Sequence, residues 1–215
     1  KVLVNTNMIL NNLNKIINIL LDLKFTLIGP EGLDNIARLI TDTKNNKVKG
    51  AFVEAGVWRG GACIFARALM DHLEMKEPVY VCDSFQGLPI PVDKNDADDA
   101  HFHIPELSVS LNTVKENFAY FPIEGEVKYV EGLFKDTMPK LKDEIGPISI
   151  LRVDADMYEG TMQVLENLYD KVSVGGFVIV DDYCINQAKQ AIDEFREMYN
   201  IKNPLIRVNN CIHYW

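Results

Sequence analysis

The chain has 215 residues, 47% of them hydrophobic and 25% charged, with a formal net charge of −9. That length and balance fit one soluble α/β domain with a core large enough to stand without staples. An acidic chain with no long Lys/Arg run excludes a phosphate-backbone partner, so no nucleic acid is expected, and no apolar stretch approaches the ~20 residues that cross a bilayer.

Residues 5–24 place Met8, Ile9, Leu13, Ile16, Ile17, Leu20 and Leu21 at helical spacing. That stripe faces either the domain itself or a second subunit, and a homo-oligomer is the expectation it raises. A second helix is expected over residues 31–45, ahead of Gly50. From there strand and helix patterns alternate. AFVEAG, VYVCD, EVKYVEG, PISILRVDAD and GGFVIVDDY read as strands. ACIFARALMDHLE, SVSLNTVKENFAYF, YEGTMQVLENLYDKV and INQAKQAIDEFREMY read as the helices between and after them. Such alternation predicts a mostly parallel sheet covered on both faces. PLIRVN and CIHYW read as two short antiparallel strands joined at Asn209-Asn210. The stretch 86–107 is long and irregular, as lids and binding loops are.

The four cysteines, Cys63, Cys82, Cys184 and Cys211, form no C-x-x-C pair and sit in or beside apolar runs. They read as buried free thiols, which points to the reducing cytoplasm. No signal peptide is visible, and the first residue is Lys1 rather than Met, so an N-terminal piece is expected to be missing.

Open α/β sheets bind ligands outside the carboxyl ends of their strands. Here those ends carry Glu54, Asp83, Glu131 with Asp136 behind it, Asp154 with Asp156, and Asp181-Asp182. Each alone reads as a helix cap. Five acidic ends converging on one rim call for a cationic or polyhydroxylic ligand. The turn VEAGVWRGG spaces its glycines as Gly56-x-x-x-Gly60-Gly61, unlike the G-x-G-x-x-G of a pyrophosphate loop. A glutamate at the strand end suits a nearby cation, and Asp83 suits two ribose hydroxyls. That pattern fits S-adenosylmethionine. Asp154, Asp181 and Asp182, on neighbouring strands about 5 Å apart, form a hard-oxygen set suited to Mg²⁺ or a similar divalent cation. Arg59 is expected to face the cofactor's carboxylate or to pair with Glu54 or Asp83.

The segments TLIGPEGLDNIARLI, GVWRGG, VYVCDSFQGLP, VEGLFKDTMP, DADMYEGT, GGFVIVDDY and the closing HYW resemble the macrocin O-methyltransferase (TylF/MycF) family, in order, over roughly residues 26–215. The resemblance implies a class I methyltransferase Rossmann-like fold. Its seven-stranded, mostly parallel sheet has an antiparallel last strand, with helices on both faces and extra N-terminal helices. It implies one domain, with residues 1–48 a helical cap and 50–215 the catalytic core. It implies methyl transfer from S-adenosylmethionine to a hydroxyl of a sugar or similar vicinal-diol small molecule, with a divalent metal, usually magnesium. Carried onto this chain, the cofactor site is Glu54, Ala55, Gly56, Val57, Trp58, Asp83, Ser84, Phe85, Gly132, Phe134, Asp136 and Asp154. The metal falls on Asp154, Asp181 and Asp182, and Asp154 doubles as the catalytic base. Ala55 stands where the family often has threonine, and the chain stops at Trp215 where relatives commonly continue. His101 and His103, in the segment where members diverge most, are candidates for touching the acceptor. Two alternatives stand beside this reading. One is a nicotinamide-dependent oxidoreductase, which the glycine spacing and Glu54 count against. The other is a nucleoside-binding protein without catalysis.

Overall fold

The computed structural model describes residues 13–97 and 104–215. The expectations for Met8, Ile9, His101 and His103 lie outside those residues. A helix over residues 13–22 (α1) is followed by α2 (Pro30–Asn45), with proline at its start, where no backbone donor is lost. The core then alternates: β1 (Ala51–Ala55), α3 (Gly61–His72), β2 (Val79–Asp83), α4 (Leu111–Ala119), β3 (Val127–Glu131), α5 (Phe134–Glu144), β4 (Ile148–Val153), α6 (Tyr158–Leu168), β5 (Val172–Val180) and α7 (Asn186–Met198). Two short strands, β6 (Ile206–Arg207) and β7 (His213–Tyr214), close the chain.

The seven strands form one sheet in the order β3-β2-β1-β4-β5-β7-β6. β1 to β5 are parallel, and β7 slots antiparallel between β5 and β6. Chain order reverses between β1 and β4, so a crevice opens at their carboxyl ends, the switch point where such sheets bind ligands.

Side chains alternate across the sheet and divide the core in two. Phe52, Val79, Val81, Ile150 and Ile179 pack with α1 to α4. Val53, Cys82, Leu151, Val153, Val178 and Val180 pack with α5 to α7. The described part of the N-terminal stripe belongs to the first layer: Leu20 is fully buried, and Leu13, Ile16, Ile17 and Leu21 pack beside it. It faces its own domain, and so no longer argues for a second subunit.

The cysteine expectation is half corrected. Cys63 and Cys82 are buried free thiols, whereas Cys184 and Cys211 form a disulfide. They lie 27 positions apart in sequence, and only the β6–β7 hairpin, returning beside β5, brings them together. The cysteines therefore no longer argue for a reducing compartment. Among the described residues, no helix is long and apolar enough to cross a membrane.

Candidate active site

The glycine turn leaves β1 at Gly56, whose φ is +87°. A Cβ there would lie 1.7 Å from the Asp154 carbonyl oxygen, so β1 and β4 can approach this closely only through glycine. Gly61 serves a second approach: its N–H donates to the Phe25 carbonyl at 2.9 Å, and a Cβ would meet that oxygen at 2.3 Å. The turn is braced from β2. Asp83 Oδ2 accepts from the Val57 N–H and Oδ1 from the Phe85 N–H, both at 2.8 Å. Burial raises the Asp83 carboxyl, and those backbone donors offset part of the effect. The Ser84 Oγ stands a further 3.5 Å from Oδ1.

Above this turn lies a cavity of about 1250 Å³. Glu54, Gly56, Val57, Trp58, Asp83, Ser84, Gly132, Phe134, Asp154, Asp181 and Asp182 line it. Ser84 shapes its mouth by donating to the Gly87 carbonyl at 2.7 Å, and Trp58 donates its indole N–H to the Glu106 carbonyl at 2.8 Å.

At the floor of the cavity, Asp154, Asp181 and Asp182 each offer a carboxylate oxygen, all within 4.8 Å of one another. Burial pushes the Asp181 carboxyl up to about 7, against the pull of Arg152. Burial, then the charges of Asp154, Asp156 and Asp181, hold the Asp182 carboxyl well above the usual range. Asp181 Oδ1 is buried without a hydrogen bond, although Arg152 Nη2 stands 2.7 Å away as an ion-pair partner. Three hard oxygens that repel one another at this range fit a divalent cation.

The model of the macrocin-O-methyltransferase (TylF) family matches residues 21–215. The chain belongs to that family. It is 37% identical over 198 residues to the mycinamicin III 3''-O-methyltransferase of Micromonospora griseorubida, covering 88% of this chain and 77% of the relative. It is 41% identical over 197 residues to the demethyldecarbamoylnovobiocin O-methyltransferase of Streptomyces niveus, covering 88% and 74%. The solved structure of the O-methyltransferase NovP superposes with a TM-score of 0.90 at 35% identity, covering 96% of this chain and 98% of that one. This family member is an S-adenosylmethionine-dependent O-methyltransferase.

The structure does not bring every expected residue to the methyltransferase cavity. Ala55 and Phe85 are buried in the core, and Asp136 is exposed on the first turn of α5; none of the three lines the cavity. Glu131 is also exposed and outside the lining, because β3 is the edge strand, two strands from the switch point. Arg59 adopts neither expected role. It donates to the Lys24 carbonyl at 3.1 Å and lies over the Trp58 ring.

Two residues escaped the sequence reading. Arg152, within the apolar run ISILRV, is fully buried and holds Glu54, Asp154 and Asp181 at once. The signal was present: a lone cation in an otherwise apolar central strand needs buried anions beside it. Asp96, in the irregular segment after β2, is also fully buried, and its carboxylate accepts from the first two backbone N–H groups of α6. No local pattern could have revealed that, since its partners lie more than sixty residues away.

Proposed function

We propose that this methyltransferase moves the methyl group of S-adenosylmethionine to a hydroxyl of a sugar or similar vicinal-diol small molecule, beside a divalent cation such as Mg²⁺. The observation that carries the reading is the meeting of Asp154, Asp181 and Asp182 in the same cavity as the glycine turn. One relative is named for a rhamnosyl-bearing acceptor, 37% identical over 196 residues.

S-adenosylmethionine supplies an electrophilic methyl carbon on its sulfonium. Gly56, Val57 and Trp58 would lie along it, with Asp83 and Ser84 at the ribose and Gly132 and Phe134 toward the adenine. Glu54 would also contribute to the cofactor site, its carboxylate held in place by the Arg152 guanidinium and the Cys63 thiol. Asp154, Asp181 and Asp182 would hold the cation, which supplies the positive charge that lowers the acceptor hydroxyl's pKa.

Asp154 would take the hydroxyl proton. Arg152 Nη1 holds its Oδ2 at 2.7 Å and so orients the carboxylate. A sugar hydroxyl is a weak acid, so it must be acidified for the transfer to proceed. Leu27, Leu88, Ile90 and Val92 form a largely exposed apolar wall of the cavity, which would offer a bound acceptor a surface to pack against. We retain the division into a helical cap over residues 1–48 and a catalytic core over 50–215.

The test is a panel of glycosylated acceptors assayed by release of S-adenosylhomocysteine, with and without EDTA. Turnover should need the divalent ion. Asp181→Asn should abolish it while S-adenosylhomocysteine binding, measured by calorimetry, stays within about twofold. Turnover that survives saturating chelator would overturn the cation's role.

A further inference from the structure

The irregular segment after β2 is staked to the core at Asp96. This residue ends a single 3-10 turn, Lys94–Asp96, and its side chain is 0% exposed. Its two oxygens divide between consecutive backbone donors: Oδ1 accepts from Tyr158 N–H at 2.6 Å and Oδ2 from Glu159 N–H at 2.9 Å. Tyr158 and Glu159 open α6, and the preceding residue, Met157, supplies no side-chain cap. The first donors of a helix are otherwise orphans, and a carboxylate there also meets the positive end of the helix dipole. Caps ordinarily come from the adjoining residue. Here the cap comes from 62 positions upstream.

What Asp96 holds lies next to the carboxylate cluster. Between Asp154 and α6 the chain makes a tight turn: Met157 N–H donates back to the Ala155 carbonyl at 2.6 Å, and Asp156 sits at φ +59°. A non-glycine residue in that region is strained and persists only when its surroundings fix it. Asp182 fixes one side, its Oδ2 accepting the Asp156 N–H at 3.0 Å. Asp96 fixes the other, through the start of α6. The same segment is tied to α7, where Gln190 donates to Asn95 Oδ1 at 3.2 Å. It follows directly on the cavity-lining residues Leu88, Pro89, Ile90 and Val92.

We propose that Asp96 is a positioning residue: its two bonds to α6 set the Asp154–Asp156 turn and tie the cavity wall at 88–92 to it. The wall and the carboxylates at the cavity floor are then placed as one piece. Only the consequence for cation binding rests on the function proposed above; the coupling within the protein does not.

Amide hydrogen exchange, read residue by residue by NMR on the full chain without ligand, tests the coupling. Asp96→Ala should speed exchange at least tenfold at Asp156 as well as at Tyr158 and Glu159. Asp96→Asn, which keeps one accepting oxygen, should show a smaller rise at the same three amides. Faster exchange at Tyr158 and Glu159 alone would make Asp96 a helix cap only and overturn the proposal. Titration with Mn²⁺ tests the consequence. Asp96→Ala should weaken Mn²⁺ binding at least fivefold with S-adenosylhomocysteine affinity within twofold of wild type, and unchanged Mn²⁺ affinity also overturns it. If the wild-type chain binds no Mn²⁺, the cation reading of Asp154 fails and the exchange pattern decides the coupling by itself. If Asp96→Ala does not fold, Asp96→Asn carries both measurements.

Discussion

Glu54 and Arg152 stand opposite one another in the parallel pair β1–β4 and form an ion pair with each side chain only 2% exposed. Strand period places Asp154 on the same face as Arg152, two residues on, and Asp181 reaches the guanidinium from the end of β5. Burial works against the Arg152 charge, yet Asp181, Asp154 and Glu54 together raise its pKa above the ordinary value. Burial pushes the Glu54 carboxyl up to about 7, although Arg152 draws it down. One strand cation thus organises the acidic cluster from beneath.

Removing that cation leaves buried carboxylates uncompensated. Arg152→Met is expected to lower unfolding free energy by about 3–5 kcal/mol in urea titration. Adding Glu54→Gln in the same chain should recover part of the loss, because one of the stranded charges is gone. Strict additivity of the two substitutions would show that the pair is not coupled.

Gly56 admits no side chain. With φ at +87° and the Asp154 carbonyl in the place of a Cβ, Gly56→Ala must displace either the turn or the start of the Asp154 segment. The expected loss is about 3 kcal/mol or more, together with weakened S-adenosylhomocysteine binding by calorimetry. An alanine variant of wild-type stability and affinity would contradict the close approach.

Leu20 tests whether the N-terminal helix belongs to the core. It is 0% exposed and packs in the layer formed by α1 to α4. Leu20→Ala should cost about 2–5 kcal/mol by the same denaturation assay. A cost below about 1 kcal/mol would place α1 outside the cooperative unit.

The thiol count separates the two cysteine pairs. In the native, non-reduced protein no thiol should react with a disulfide reagent, since burial shields Cys63 and Cys82 and raises both thiols. Denaturation should release those two, and reduction the other two, from the Cys184–Cys211 bridge. Replacing both Cys184 and Cys211 with serine should lower stability by about 2–4 kcal/mol. Four reactive thiols on denaturation without reductant would show that the bridge does not form.

Much of the molecule was legible in the chain itself, because the signals were local. Hydrophobic period marks ISILRV and FVIV as central strands and residues 31–45 as a helix, observed at Pro30–Asn45, and a chain alternating in this way must build a covered parallel sheet. The acidic strand ends were equally readable, since strand direction alone decides which end faces the crevice. The positions of Asp154, Asp181 and Asp182 followed from that.

Partners distant along the chain were not legible. Strand order decides which acidic ends meet, and so it excluded Glu131 on the edge strand while admitting Asp83. Sheet register set Arg152 beside Glu54, supplying from within the protein part of the positive charge that the carboxylates demanded. The β6–β7 hairpin joined Cys184 to Cys211, and the fold carried Asp96 to the start of α6. Periodicity records what each residue does to its own segment. Which buried charges and thiols become neighbours depends on how segments pack, and that information exists only once the chain has closed on itself.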